Sequence, residues 1–340
     1  MTAGGIARAW CRLDPVSTQA PSRMVARSLD PAKFRDPDVT AKGERRASVS
    51  LERLDTLWFN TGTLCNIECA HCYIESSPRN DRLAYLTCDE VRAYLDEIAA
   101  LDLPTREIGF TGGEPFLNPE MLAMAGEALN RGFEVLILTN AMQPMMRPPE
   151  REGLLALRSA HGRRLALRVS IDHYGAELHD GERGRGSFER TLAGARWLAE
   201  NGVALSVAGR TCWGEHEAAL RGGYQRLFDA RDLGVDAADP RKLVLFPEMD
   251  EGADVSEITV DCWGILGVDP GDMMCATSRM VVKRKGAAAP AVLACTLLPY
   301  DPQFELGGSL EVALGTVKLN HPHCAKFCVL GGGACSAAGR

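Results

Sequence analysis

The middle of the chain alternates between two hydrophobic patterns. One is a short, continuous apolar run, which is typical of a buried strand; such runs cover residues 56–60, 106–110, 133–138, 165–172, 203–208 and 243–246. The other places apolar residues at helical spacing, and its clearest example is Val91, Leu95 and Ile98. Thr87 and Glu90, at the start of that segment, predict a capping box and therefore a helix N-terminus.

Helical segments separate the later apolar runs as well. The sequence predicts helices over about 118–131, 187–201 and 214–233, the last one broken at Gly222-Gly223. Strands that alternate with helices indicate parallel βα units. Six such units do not fill an eight-stranded barrel, so we predict an α/β fold with a partial (β/α)6 barrel of the TIM type. In parallel barrels, functional residues gather at the C-terminal ends of the strands.

The two ends of the chain depart from this alternation. Residues 1–50 are rich in Arg, Ser, Asp and Pro, which predicts an extension that wraps the barrel or is partly disordered. Beyond residue 250, two apolar runs at 280–284 and 291–295 flank a turn with Gly and Pro, which predicts a β-hairpin. We therefore expect an N-terminal extension (1–50), a barrel (51–250) and a small cysteine-rich α+β domain (251–340).

Composition excludes several classes of function. The 340 residues are 46% hydrophobic and 24% charged, as in ordinary globular proteins, and the formal charge of −7 argues against a nucleic-acid-binding surface. No apolar run is long enough to span a bilayer, and the N-terminus lacks the continuous apolar segment of a secretory signal. We expect a cytoplasmic protein with no membrane or nucleic-acid partner. In such a chain, twelve cysteines indicate metal binding rather than disulfides.

Three of the cysteines lie within eight residues, directly after the first predicted strand. Cys65, Cys69 and Cys72 are separated by three and then two residues, so a single loop can turn all three sulfurs toward one centre. Three thiolates leave one position of a four-ligand site open, either for a distant residue or for a ligand that is not protein. The alternatives are three buried thiols or half of a zinc site.

A second motif follows the next predicted strand, where Gly112-Gly113-Glu114 would let the backbone approach a ligand closely. The pattern C-x3-C-x2-C, together with this segment, resembles the radical S-adenosylmethionine (SAM) superfamily. The resemblance implies that Cys65, Cys69 and Cys72 hold a [4Fe–4S] cluster whose open iron binds the amino and carboxylate groups of SAM. It also implies that Glu114 receives the SAM ammonium group, and that reductive cleavage of SAM gives a 5′-deoxyadenosyl radical.

The same resemblance implies further SAM contacts at the strand ends. The implied residues are Tyr73, Gly112, Gly113, Thr139, Asn140, Ser170, Asp172, Arg183 and Arg210. Ser170 or Asp172 would bind the ribose hydroxyls, and Arg183 or Arg210 the SAM carboxylate. A polar residue at a strand end is also common as a turn or a cap, which is the alternative for each. One position departs from the family, because His71 stands where an aromatic residue often precedes the third cysteine.

A second set of cysteines surrounds and follows the predicted hairpin. It comprises Cys275, Cys295, Cys324, Cys328 and Cys335. The arrangement resembles the twitch or SPASM extensions of radical SAM enzymes, which implies one auxiliary [4Fe–4S] cluster. Its ligands would be Cys275, Cys295 and Cys324, with either Cys328 or Cys335 as the fourth. A structural zinc ion held by four thiolates is the alternative.

The function implied by the resemblance is an oxidoreductase or lyase that abstracts hydrogen from a peptide or a small metabolite. An auxiliary cluster favours a net oxidation or a cross-link, and the reaction would need an electron donor such as flavodoxin or ferredoxin. Two alternatives remain open at the level of sequence: a lyase of cofactor biosynthesis, and a non-catalytic iron–sulfur or zinc protein. The sequence does not identify the substrate.

Overall fold

The computed structural model describes residues 28–331 of the 340-residue chain. Its strands are β1 (Ser48–Val49), β2 (Thr56–Asn60), β3 (Glu107–Thr111), β4 (Glu134–Thr139), β5 (Leu165–Ser170), β6 (Ala204–Arg210), β7 (Leu243–Phe246), β8 (Ser278–Val282), β9 (Ala291–Leu293), β10 (Glu305–Gly307) and β11 (Val317–Lys318). Its α-helices are α1 (Cys88–Ala100), α2 (Met121–Asn130), α3 (Pro148–His161), α4 (Ala176–Arg183), α5 (Ser187–Glu200), α6 (Glu217–Ala230), α7 (Cys262–Leu266) and α8 (Met274–Thr277).

The predicted α/β core is confirmed. Strands β2 to β7 lie side by side in sequence order and are all parallel. Helices α1 to α6 occur in the five connections between these six strands, with α4 and α5 in the same connection. This is the arrangement of a partial barrel. Their apolar side chains form the larger of two hydrophobic clusters.

The predicted β-hairpin is present as β8 and β9, which pair antiparallel. Its strands belong to the barrel sheet, because β8 also pairs parallel with β2 and β10 extends the sheet at the far side of β9. All five residues of β8 are buried, as expected for a strand with a neighbour on each side. The C-terminal part of the chain therefore continues the sheet while building the second hydrophobic cluster around the cysteines.

Local signals account for the bounds of the helices. Thr87 and Glu90 form the predicted capping box, with Thr87 Oγ1 accepting from the Glu90 amide at 3.2 Å. The predicted break in α6 is wrong, since the helix runs without interruption through Gly222 and Gly223. A β-carbon on Gly223 would lie 2.3 Å from the ring of Tyr174. Glycine at this position therefore allows the Tyr174 ring to pack directly against the helix backbone.

The described part of the N-terminal region packs against the C-terminal region. Strand β1 pairs with β11, and isolated bridges join Ser28 to Ala253 and Arg46 to Thr259. Buried Arg46 also forms an ion pair of 2.6 Å with Glu257. Residues 28–49 therefore pair with the C-terminal region. The wrapping of the barrel by residues 1–50 stays a prediction, and residues 1–27 lie outside the described range. Among the described helices, none combines the length and the apolar character that a membrane crossing needs.

Candidate active site and a second cysteine cavity

The three cysteines of the first motif line one cavity of about 190 Å³ at the C-terminal ends of the parallel strands. Backbone hydrogen bonds hold their loop, from the Cys65 amide to the Ser77 carbonyl at 3.1 Å and from the Ala70 amide to the Glu182 carbonyl at 2.8 Å. The Ser76 amide donates to the Cys72 sulfur at 3.3 Å. The structure thus brings the predicted cluster ligands together on one wall.

The chemistry of this thiol set fits a metal centre. Burial raises the pKa of Cys65 to about 12, and it also raises the pKa of Cys69 although Arg183 opposes that shift. Such thiols stay protonated at neutral pH unless a cation stabilises the thiolate. An iron–sulfur cluster would supply that charge, so these residues fit the [4Fe–4S] group that their spacing implies.

Gly112 and Gly113 allow β3 to end directly against the cysteine loop. Gly112 has φ +144°, which glycine adopts easily, and a β-carbon on Gly113 would lie 2.2 Å from the Leu64 carbonyl oxygen. The Gly113 amide donates to the Gly62 carbonyl at 2.9 Å. The two glycines line the cavity, and their lack of side chains sets how closely the loop approaches the strand.

Glu114 is buried behind the cavity wall, and both of its oxygens accept hydrogen bonds. The donors are the Thr139 hydroxyl at 2.8 Å, the Asn140 amide at 2.9 Å and the Phe116 amide at 3.3 Å. Burial raises its pKa to about 7 against the effect of these donors. In the structure Glu114 therefore ties the end of β3 to the end of β4, whereas the sequence prediction aimed its carboxylate at the SAM ammonium group.

Asp172, Arg183 and Arg210 line the cavity, and each arginine forms an ion pair. Arg183 donates two hydrogen bonds to Asp172, at 2.8 and 2.9 Å. Although burial opposes ionisation of Asp172, Arg183 lowers its pKa below the usual range. Arg210 donates to Glu182 at 2.7 Å, and the same carboxylate oxygen lies 2.9 Å from Nδ1 of His71. Both arginines predicted to bind SAM are thus held by carboxylates of the protein.

The remaining predicted SAM contacts also line this cavity, namely Tyr73, Thr139, Asn140 and Ser170. Sequence reasoning missed several wall residues: Arg168, Phe246, Pro247, Met249, Leu297 and Phe327. Arg168 carried a usable signal, because it is a charged residue within an apolar strand and is buried in the structure. The apolar residues carried none, since their side chains resemble core positions.

A second, smaller cavity is lined by Cys275, Cys295, Cys324 and Cys328. Burial raises the pKa of Cys275 to about 11 and that of Cys324 well above its usual value. The Leu297 amide donates to the Cys295 sulfur at 3.3 Å. Cys335, the remaining predicted ligand, lies outside the described residues. Leu297 lines this cavity and also the larger one, so the two thiol sets share a wall.

Across residues 28–331, no three side chains of His, Cys, Asp or Glu are arranged to hold a single metal ion.

A family model of the radical SAM superfamily matches residues 59–212. The match covers the cysteine loop, the two glycines and every strand end up to Arg210. The chain contains a radical SAM domain. This superfamily uses a [4Fe–4S] cluster and SAM.

Curated relatives match part of the chain. The protein AlbA of subtilosin bacteriocin biosynthesis, from Bacillus subtilis (strain 168), is 32% identical over 178 residues, which are 51% of this chain and 36% of AlbA. An AdoMet-dependent heme synthase from Methanosarcina barkeri is 37% identical over 135 residues, 39% of this chain and 36% of that protein. The matches thus span only about a third of each relative's length.

Solved structures share the fold over a longer stretch. The crystal structure of Streptococcus suis SuiB bound to the precursor peptide SuiA has a TM-score of 0.57 over 78% of this chain and 65% of SuiB, at 12% identity. At that identity, the likeness establishes the radical SAM fold and nothing about the substrate.

Proposed function

We propose that this protein is a radical SAM enzyme that oxidises or cross-links a peptide. The observation that carries the proposal is the wall that the two cavities share. The first cavity is lined by three cysteines with the spacing of cluster ligands, the second is lined by four further cysteines, and Leu297 lines both. Among the relatives, AlbA is named for the biosynthesis of a bacteriocin and SuiB was solved with a precursor peptide. These names support a peptide as the substrate class.

In this proposal Cys65, Cys69 and Cys72 hold the cluster that binds SAM. When bound and reduced by one electron, the cluster and SAM supply a 5′-deoxyadenosyl radical that takes one hydrogen atom from the substrate, releasing methionine and 5′-deoxyadenosine. An auxiliary cluster held by the second set of cysteines would accept one further electron from the substrate, and one proton would pass to solvent. The net change of the substrate is a two-electron oxidation, and a low-potential donor such as flavodoxin or ferredoxin provides the first electron.

The polar side of the cavity suits SAM, which carries a positive sulfonium, an ammonium and a carboxylate. Asp172 with Arg183, and Glu182 with Arg210, present two balanced ion pairs there. Balanced pairs can orient a ligand with charges of both signs without a large net charge to neutralise. Thr139, Asn140 and Ser170 add hydrogen-bonding groups on the same wall.

The apolar residues that line the cavity suit a reactive intermediate. Phe246, Met249 and Phe327 line it, and the rings of Phe246 and Phe327 stack with centroids 5.6 Å apart. Apolar walls exclude water from the reacting position and leave few hydrogen-bonding groups to compete with the substrate. Phe327 lies between Cys324 and Cys328 in the chain, so the substrate would contact the segment that carries the second thiol set.

The test uses protein reconstituted anaerobically with iron and sulfide, reduced with dithionite and supplied with SAM. Candidate substrates are short peptides encoded beside its gene, and a Cys69→Ala variant is the matched control. We expect 5′-deoxyadenosine together with a peptide that has lost two hydrogen atoms, both absent from the control. No SAM cleavage by fully loaded, reduced protein would overturn the enzyme assignment. Cleavage that modifies only a small metabolite would overturn the peptide assignment.

A further inference from the structure

His323 is the one histidine on the wall of the second cysteine cavity. Its side chain is only 3% exposed, and within residues 28–331 its Nδ1 atom has no hydrogen-bond partner. A buried nitrogen without a partner is unfavourable, because it has lost its hydrogen bond to water and gained none in the protein. Because Nδ1 of His323 lies beside the four thiols, a metal centre bound in this cavity could accept it as a ligand.

The other ring nitrogen faces a carboxylate. His323 Nε2 lies 3.3 Å from Oε1 of Glu251. In the neutral ring, this contact favours the tautomer with its proton on Nε2. The lone pair is then on Nδ1. A histidine that ligates a metal through one nitrogen while a carboxylate holds the other is a recurrent arrangement in metal sites.

The backbone of His323 is fixed by its neighbour. Its amide donates to Nδ1 of His321 at 3.1 Å, and the two rings lie 4.9 Å apart. Nδ1 of His321 is thereby occupied, whereas Nδ1 of His323 is not. The two histidines share one carboxylate contact, since Nε2 of His321 lies 3.8 Å from the same Glu251 oxygen, but they differ in the nitrogen that could bind iron.

Cys324 is close enough to Cys275 and Cys295 for their charges to affect it. Cys275 and Cys295 both disfavour ionisation of Cys324 and both favour the charged form of Arg279. Cys328 lines the cavity as well. Cys275, Cys295 and Cys324 thus share the cavity wall with one buried imidazole nitrogen, and four such ligands would match the four irons of a cluster.

We infer that Nδ1 of His323 ligates the fourth iron of the auxiliary cluster, alongside Cys275, Cys295 and Cys324. Glu251 is a positioning residue that keeps the ring in the binding tautomer. The inference rests on the proposed function, because it requires an iron–sulfur cluster in this cavity. Replacing thiolate by neutral imidazole raises the reduction potential of a cluster, as in Rieske centres. A raised potential would suit a cluster that accepts an electron from the substrate.

The test isolates this cluster in the Cys65/Cys69/Cys72→Ala variant, reconstituted anaerobically and reduced. The readouts are iron content, reduction potential and the ¹⁴N hyperfine coupling in pulsed electron paramagnetic resonance. We expect one strongly coupled imidazole nitrogen that disappears in His323→Ala and persists in both His321→Ala and Cys328→Ala. His323→Cys should keep the iron, lose the nitrogen coupling and lower the potential.

Three results would overturn the inference. A loaded cluster without strong nitrogen coupling, or a coupling that survives His323→Ala, excludes His323 as a ligand. Loss of iron in Cys328→Ala with full loading in His323→Ala assigns the fourth position to the cysteine. If the parent variant folds but binds no iron, the auxiliary cluster itself is absent, and the proposed function fails separately. Should the parent not fold, the same His323, His321 and Cys328 variants are compared in the otherwise wild-type chain, where adding SAM identifies the signal of the first cluster.

Discussion

Arg183 binds Asp172 through two hydrogen bonds on the wall of the cavity that also contains the three thiols. Asp172 follows β5 and Arg183 is the last residue of α4, so the pair joins a strand end to the following helix. Burial raises the pKa of Cys69, and Arg183 opposes that rise. The partly buried Arg183 therefore stabilises the charge of Asp172 and also favours the thiolate form of Cys69.

The first prediction concerns this pair. Arg183→Lys should weaken SAM binding at least about tenfold, because a lysine cannot make the two parallel hydrogen bonds that fix Asp172. The measurement is equilibrium binding of SAM to the reconstituted protein without oxygen. Arg196→Lys is the control, since Arg196 also pairs with a carboxylate, Glu200, but is exposed and should leave binding unchanged. Equal affinities in the two variants would contradict the role given to Arg183.

The second prediction concerns the approach of β3 to the cysteine loop. Gly113→Ala places a methyl group 2.2 Å from the Leu64 carbonyl oxygen, so backbone must shift at a cost of about 1–3 kcal/mol. We expect lower iron content after reconstitution and a lower midpoint in urea unfolding.

Gly126→Ala is the control for that variant. Its β-carbon would lie 3.4 Å from a methyl group of Leu157, and alanine favours the interior of α2 by up to about 1 kcal/mol. We expect normal iron content and equal or higher stability. If both variants load iron normally, the close approach at Gly113 does not shape the cluster site.

The third prediction concerns pH. Burial lowers the pKa of His179 to about 4 from 6.5, and its Nδ1 accepts from the Asp172 amide at 3.2 Å. As pH falls from 6.5 to 4, the unfolded chain binds a proton that the folded chain excludes, so the free energy of unfolding decreases. The shift corresponds to a loss of about 3 kcal/mol over that range.

His179→Asn tests this prediction, because the asparagine oxygen can accept the same hydrogen bond and does not titrate. Urea unfolding of the metal-free protein at pH 7 and pH 4 should show a smaller loss of stability in His179→Asn than in the wild type. Exposed His216, replaced in the same way, should behave like the wild type. An unchanged pH dependence in His179→Asn would show that another group causes the acid sensitivity.

Much of the fold could be predicted because local and tertiary preferences agree. The six parallel strands are continuous apolar runs, and the Thr87–Glu90 capping box marks the start of α1. The prediction was wrong at a glycine pair, because glycine can either break a helix or allow close packing within one. Gly222-Gly223 indicated a helix break, yet Gly223 lies inside α6 because Tyr174 packs against its bare backbone. Helix α4 was not predicted, and it brings Arg183 to Asp172.

Part of the candidate site could also be predicted, because cysteine spacing and a pair of glycines constrain chemistry directly. The role of Glu114 in joining two strand ends could not be predicted, since only the folded chain brings its hydrogen-bond donors Thr139 and Asn140 around it. Leu297 and Phe327 carry no chemical signal in sequence, and they reach the cavity only through long-range packing. The buried, unpartnered nitrogen of His323 likewise depends on the position of Glu251.

The most direct test of the central claim is to measure iron, sulfide and 5′-deoxyadenosine for three forms of the chain after anaerobic reconstitution. We predict about eight irons in the wild type and about four in both Cys65/Cys69/Cys72→Ala and Cys275/Cys295/Cys324→Ala. SAM cleavage should be lost only in the first of these variants. Cleavage that persists without Cys65, Cys69 and Cys72, or no cleavage by fully loaded, reduced wild type, would contradict the account.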